Sequence, residues 1–241
     1  MYLPMISIIT PVFNNEQDIA HCIDSVAAQT YQYIEHIIID GNSTDATLSI
    51  IKTKASKNST LKFISENDNG IYDAMNKGIQ MASGDFLYFM GSDDVFYANS
   101  VLENIIQDLE GNDLVYGNVF FKHKKIVYDG AFNKTRIIDQ SICHQAAFFS
   151  KRTFASVGMY DTKLKLAGDW DLFLRCFYHK NISIKYIDTI ICLYDESGAS
   201  GQNSENRITK YLTLYKRVGV FGIMKYWFIQ IEKKLGRKSF S

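Results

Sequence analysis

The chain has 241 residues, of which 46% are hydrophobic, with 26 basic and 26 acidic side chains. That length and composition suffice for one large domain, or one domain with an appendage, and the cancelling charges give no support to a nucleic-acid binder. The charges are uneven along the chain: from Glu205 onward nine Lys or Arg face two acids, a formal +7 that residues 1–204 balance with −7.

Residues 1–112 alternate two hydrophobic periods. MISIITPV reads as a strand, and Ile19, Cys22, Ile23, Val26 and Ala27 follow at the spacing of one helix face. IEHIIID is a second strand with a helix through Leu48, Ile50 and Ile51, and LKFIS a third with Ile71, Ala74, Met75, Gly78 and Ile79 behind it. DFLYFM is the fourth, followed by Val101, Leu102, Ile105, Ile106 and Leu109. Unbroken apolar strands, each followed by an amphipathic helix, predict a mostly parallel α/β sheet covered on both faces, with a Rossmann-like half over 1–112. Residues 113–204 are less regular and are expected to complete a mixed sheet on the acceptor side of one domain, 1–204. Within them SICHQAAFFSK carries the polar His144 and Gln145, and DESGASGQNS over 195–204 suits a closing loop or a plain linker.

Ligands in such sheets bind beyond the carboxyl ends of the strands. The four loops there, TPVFNNE, DGNSTD, ENDNG and GSDD, are all polar and acid-bearing. One alone would serve as a helix cap; four on one edge predict a site. Neither G-x-G-x-x-G nor a P-loop occurs. An acidic edge repels a bare diphosphate, so a phosphorylated ligand there needs a divalent cation, Mg²⁺ or Mn²⁺ on one or two carboxylates. Asp93 and Asp94 are placed for it.

The ordered set ITPVFNNE, IIIDGNSTDAT, ENDNGIYDAMNKGI, ASGDFLYFMGSDD and LKLAGDWDLFLR, from residue 6 to about residue 176, resembles the inverting family 2 glycosyltransferases of the GT-A fold, and within them the bacterial surface-polysaccharide branch. The resemblance implies a nucleotide base and ribose at Thr10, Phe13, Glu16 and Asp40. Phe13 stacking on uracil and Asp40 accepting its N3 proton would favour a UDP-sugar. It implies donor ribose, diphosphate or sugar near Asp68, Gly70, Asp73 and Lys77. It also implies a D-x-D region at 91–94, in which Gly91 stands where many relatives have the first acid. Asp93 is assigned to the donor and to the metal, and Asp94 chiefly to the metal, with the roles open to sharing or reversal. The family's base is the Asp of an E-D motif opening a helix, here Asp169 with Gly168 in the place of Glu; it would take the proton of the acceptor hydroxyl on the sugar face opposite the leaving group. Trp170 and His144 are expected at the acceptor. Bland readings stand beside these: Phe13 and His144 as core residues, Lys77 as a solvated helix-face lysine, and Asp169 and Asp171 as acids favouring the helix dipole.

The expected function is therefore a metal-dependent inverting transfer of a sugar from a nucleotide donor to a hydroxyl of a glycan or lipid-linked oligosaccharide. The alternatives are a silent glycan- or nucleotide-binding module of the same fold, and a sugar-nucleotide pyrophosphorylase, for which TPVFNNE lacks glycine and lysine. Cys22, Cys143, Cys176 and Cys192 show no C-x-x-C pair, and the N-terminus lacks signal-peptide features, so free thiols and a cytoplasmic location are expected. The tail, 205–241, contains RVGVFGIMKYWFIQIEKKLGRK, apolar, aromatic and basic at once but interrupted by Lys225 and short of the ~20 residues a spanning helix needs. It reads either as a helix in the interface of the inner face of the plasma membrane, with Tyr226 and Trp227 at headgroup level, or as a helix packed on the domain or on a second subunit.

Overall fold

The computed structural model describes residues 3–128, 130–195 and 207–235. Strands β1 (Ile6–Val12), β2 (Ile34–Asp40), β3 (Leu61–Ser65) and β4 (Phe86–Phe89) pair in parallel in the order β3-β2-β1-β4. The crossovers are α1 (Ile19–Ala27), α2 (Thr47–Ala55) and α3 (Ile71–Met81). The strands are mostly apolar where both faces are covered, with Ser7, Thr10, Glu35, His36 and Asp40 as buried polar exceptions and Lys62 exposed on β3. Ile6 and Ile8 share a cluster with Cys22 and Val26 of α1 and with Val101 and Leu102 of α4 (Val101–Leu109), whereas Ile9, Ile37 and Ile39 pack with Met75 and Ile79 of α3. Gly78 lets α3 lie close on the sheet: a Cβ there would stand 2.3 Å from the Ile9 side chain.

The remaining strands extend the sheet from β4 to its far edge. The elements of this second half are β5 (Val95–Phe96), β6 (Leu114–Phe121), β7 (Ile126–Tyr128), α5 (Arg136–Asp139), a 3-10 turn (His144–Ala146), β8 (Ala147–Ser150), α6 (Lys151–Val157), α7 (Gly168–Tyr178) and β9 (Ile184–Tyr194). β8 runs antiparallel between β4 and β6, with Phe149 opposite Leu87 on one side and Leu114 on the other. β6 pairs in parallel with β9, and β5 closes the edge antiparallel to β9. Among the described residues the result is one nine-stranded mixed sheet in which strand order reverses between β1 and β4, the position where sheets of this kind place a ligand.

The last helix, α8 (Arg207–Lys234), bends at Gly219, whose φ of 73° takes it out of the helical region. One face of the tail belongs to the domain. Leu214 and Ile229 are buried in the cluster that contains Ile137, Trp170 and Phe173. Arg217 grips the buried Asp171 of α7 through Nε at 2.5 Å and Nη2 at 3.0 Å, while Gln230 and Lys233 donate to the Asp139 carboxylate of α5. The loop expected over 195–204 lies, apart from Asp195, outside the described residues.

Candidate active site

The first two loops are laced to each other. Asn14 and Asn42 sit at φ 49° and 64°, a left-handed region asparagine tolerates. The Asn14 N–H donates to Ser43 Oγ and its side-chain oxygen accepts from the Thr44 N–H, both at 2.8 Å. Glu16 accepts the N–H of Ala46 at the start of α2, so its carboxylate serves as a cap across the loops. Thr10 is fully buried, sharing a hydrogen bond with His36 Nε2 at 2.9 Å; burial holds that imidazole neutral, its pKa down to about 3. Asp40 is equally buried, its oxygens taken by the hydroxyls of Ser43 and Ser65 at 2.5 and 2.6 Å. The side chains of Thr10 and Asp40 thus build the floor and do not reach the cleft surface, which removes the pairing expected between Asp40 and a uracil. Phe13 does reach it. Its ring is 62% exposed, against its bland reading as a core residue, and it lies near Gly41, where a Cβ would stand 3.4 Å from it.

The third loop is tied to the front of α3. Asp68 accepts from the Gly70 N–H at 2.9 Å, and Asp73 from the Asn69 N–H at 2.9 Å. Gly70 precedes the helix at φ 111°, a conformation that favours glycine. Lys77 donates to the Asn67 carbonyl and pairs with Glu66 at 2.8 Å; the Glu66 carboxylate, with Asp73 and Asp68 nearby, raises its pKa.

At the fourth strand the two aspartates separate. Asp94 is fully buried, accepting from Gln145 Nε2 and from the Asp195 N–H, each at 2.9 Å. It pins the β4–β5 turn to the 3-10 turn and to the end of β9. That corrects the expectation that Asp94 is the main metal ligand: both its oxygens are committed and no surface is left. Asp93 is half-buried and receives no hydrogen bond from another residue among those described. Burial raises the pKa of both carboxyls; the Asp93 charge adds to the rise at Asp94, and Asp195 and Asp18 add to it at Asp93. Gly91 is required by this turn, since a Cβ there would lie 2.5 Å from an Asp94 oxygen.

Asp169 opens α7 opposite this turn. Its Oδ1 accepts from the Trp170 N–H at 2.8 Å and from the Tyr72 hydroxyl at 3.4 Å, while Oδ2 faces His144 Nδ1 at 3.8 Å. One oxygen is therefore held and the other is turned toward His144, whose side chain is 14% exposed. Its neighbour Gln145 in the same 3-10 turn donates to Asp94, so one turn touches both the acid pair and Asp169. Asp171 is excluded as a base, being locked between Arg175 and Arg217. Trp170 is 5% exposed, stacks its indole into the core and donates Nε1–H to the Ile137 carbonyl at 2.7 Å, which corrects its assignment to an acceptor sugar. Two contributors were not legible as such in the sequence: Tyr72, which lies outside the one face assigned to α3, and Gln145, which read only as a polar residue between apolar runs.

Residues 7–155 match the sequence profile described as Glycosyl transferase family 2. The chain belongs to that family. This glycosyltransferase is 34% identical over 226 residues to a PGL/p-HBAD biosynthesis glycosyltransferase of Mycobacterium bovis, covering 91% of this chain and 88% of that one, and equally to one of Mycobacterium tuberculosis. Its fold is the GT-A arrangement of solved glycosyltransferases. S. aureus TarS 1–349, solved also with UDP-GlcNAc, superposes with a TM-score of 0.71 at 18% identity, over 92% of this glycosyltransferase and 69% of that chain. The mannosyltransferase PcManGT of Pyrobaculum calidifontis, solved with GDP-Man and Mn²⁺, gives 0.66 at 14% identity, over 99% and 77%.

Proposed function

We propose that this glycosyltransferase moves a sugar, with inversion, from a nucleoside-diphosphate donor to a hydroxyl of a glycan or lipid-linked oligosaccharide, with UDP as the first nucleotide to test. The observation that carries the reading is a single 3-10 turn that meets both the acid turn and the first turn of α7: Gln145 donates to Asp94 at 2.9 Å and its neighbour His144 stands 3.8 Å from Asp169. It supports a site in which a leaving diphosphate and a base lie on opposite sides of a sugar. Asp169 is the base: Oδ1 is fixed by the Trp170 N–H and Tyr72, which leaves Oδ2 to take the proton of the acceptor hydroxyl as the new bond forms. His144 orients that carboxylate. The exposed ring of Phe13 supports stacking on the base, and the UDP-GlcNAc bound by TarS supports testing uridine first.

A divalent cation fits Asp93 better than Asp94. Asp93 is a hard oxygen donor that accepts no hydrogen bond from another residue among those described, in surroundings that disfavour its charge, and one carboxylate plus substrate phosphates is a usual Mg²⁺ or Mn²⁺ set. Among the described residues no group of three or more His, Cys, Asp or Glu gathers as a cage. When bound, the cation would neutralise charge on the departing diphosphate. PcManGT was solved with Mn²⁺, which supports trying that ion.

Thermal unfolding with UDP, with and without Mn²⁺, tests the reading. UDP at about 100 times its Kd stabilises by about 2.7 kcal/mol, and that stabilisation is expected only with the metal and to be lost in Asp93→Asn. Stabilisation by a free glycan with none from UDP would instead favour a binding module.

A further inference from the structure

The outward face of α8 is apolar where a solvated helix would be polar. Phe221, Met224, Trp227, Phe228, Ile231 and Leu235 recur at three- and four-residue steps, so they form one stripe along about four turns. Each is between 52% and 66% exposed. The stripe is not a helix waiting to fold onto its own domain. The opposite face is already docked: Leu214 and Ile229 are buried, Arg217 holds Asp171, and Lys210 donates to the Asp139 carbonyl and lies 5.2 Å above the Trp170 ring. An exposed apolar patch of this continuity marks a surface that something covers.

We propose that this stripe seats the protein on the surface of a bilayer containing anionic phospholipid, with α8 lying in the interface plane. Charge selects this occupant. The basic residues Lys210, Arg217 and Lys233 are taken up by Asp139 and Asp171 on the inner face. Lys225 and Lys234 have no ion-pair partner among the described residues, and by helix geometry they border the stripe on opposite sides, Lys225 together with Glu232. Glu232 is the one acid between 207 and 235, against seven Lys or Arg. An apolar strip with aromatics at its edge and lysines beside it matches acyl chains under anionic headgroups. A second copy of the chain matches it worse, because a two-fold contact sets the same basic-rimmed patch against itself. No helix among the described residues is long and apolar enough to cross a membrane, so the helix lies on the bilayer.

The inference does not rest on the chemistry assigned to the cleft, and its test uses no sugar. The full chain is sedimented with vesicles of phosphatidylcholine alone and of phosphatidylcholine with phosphatidylglycerol, at low and high salt. Binding is expected on the anionic vesicles, weakened by salt. The variant Phe221→Ser, Met224→Ser, Phe228→Ser is expected to lose it by about tenfold or more, with unfolding temperature and UDP binding kept. Lys225→Glu with Lys234→Glu is expected to lose most of it too, and serves alone if the serine variant fails to fold. A chain that stays in the supernatant with both vesicles overturns the proposal. So does equal binding with and without phosphatidylglycerol, or a dimer that the serine variant dissociates while vesicles bind nothing.

Discussion

A methyl group at position 168 would meet the Tyr72 ring at 2.7–2.9 Å. The ring has nowhere to retreat, because Tyr160 stacks behind it with centroids 5.3 Å apart. In an open helix Gly→Ala gains roughly 1 kcal/mol, whereas overpacking a filled site costs about 1–3 kcal/mol; here the second effect wins. Gly168→Ala is therefore expected to destabilise by about 1–2 kcal/mol in denaturant unfolding, and to lower turnover more than donor affinity because it displaces the tyrosine that holds Asp169. A more stable alanine variant would contradict this packing. Asp93, Asp94, His144 and Asp169 were legible in the sequence as a strand-end acid pair, a polar island and a helix-opening acid. The division of labour between Asp93 and Asp94 was not: the partners that commit Asp94 lie 51 and 101 residues away. The place of Trp170 was not legible, because an aromatic beside a helix-opening acid reads the same whether it faces a ligand or the core.

Among elements, the first four strands were legible from short apolar runs, such as III in β2 and FLYF in β4, each followed by residues at helical spacing. β8 was not. It is four residues long and lies between β4 and β6 only through pairings made some sixty and thirty-odd residues back, such as Phe149 with Leu87 and with Leu114. The seat of α8 was half legible: its composition announced an amphipathic helix, but the acids that dock it, Asp139 and Asp171, lie 46 to 94 residues upstream. Asp171 is the strongest of these ties, being 1% exposed and shared by two arginines. Removing one partner of a buried ion pair costs about 3–5 kcal/mol because the others stay buried and unpaired. Asp171→Asn is expected to cost about that much, and to speed amide hydrogen exchange through 207–235 before it does so in β1 or β4. Loss of protection in the sheet first would mean that α8 is not held by this contact.

At the scale of the whole molecule, an acidic stretch of 204 residues is followed by a basic tail whose helix docks on it. The 3-10 turn links the acid turn after β4 to the first turn of α7, Gln145 donating to Asp94 and His144 standing 3.8 Å from Asp169, and α8 clamps that same α7 through Trp170 and Asp171, the two residues that follow Asp169. A helix seated on a bilayer would thus carry the catalytic end of the cleft toward a lipid-linked acceptor. The central claim is that Asp169 removes the acceptor proton while a separate carboxylate, Asp93, serves the diphosphate. It is tested most directly by comparing nucleotide-sugar turnover and UDP affinity in the wild type and Asp169→Asn, both with Mn²⁺. The claim predicts a loss of turnover on the order of 100-fold or more with UDP affinity unchanged; turnover that survives the substitution would contradict it.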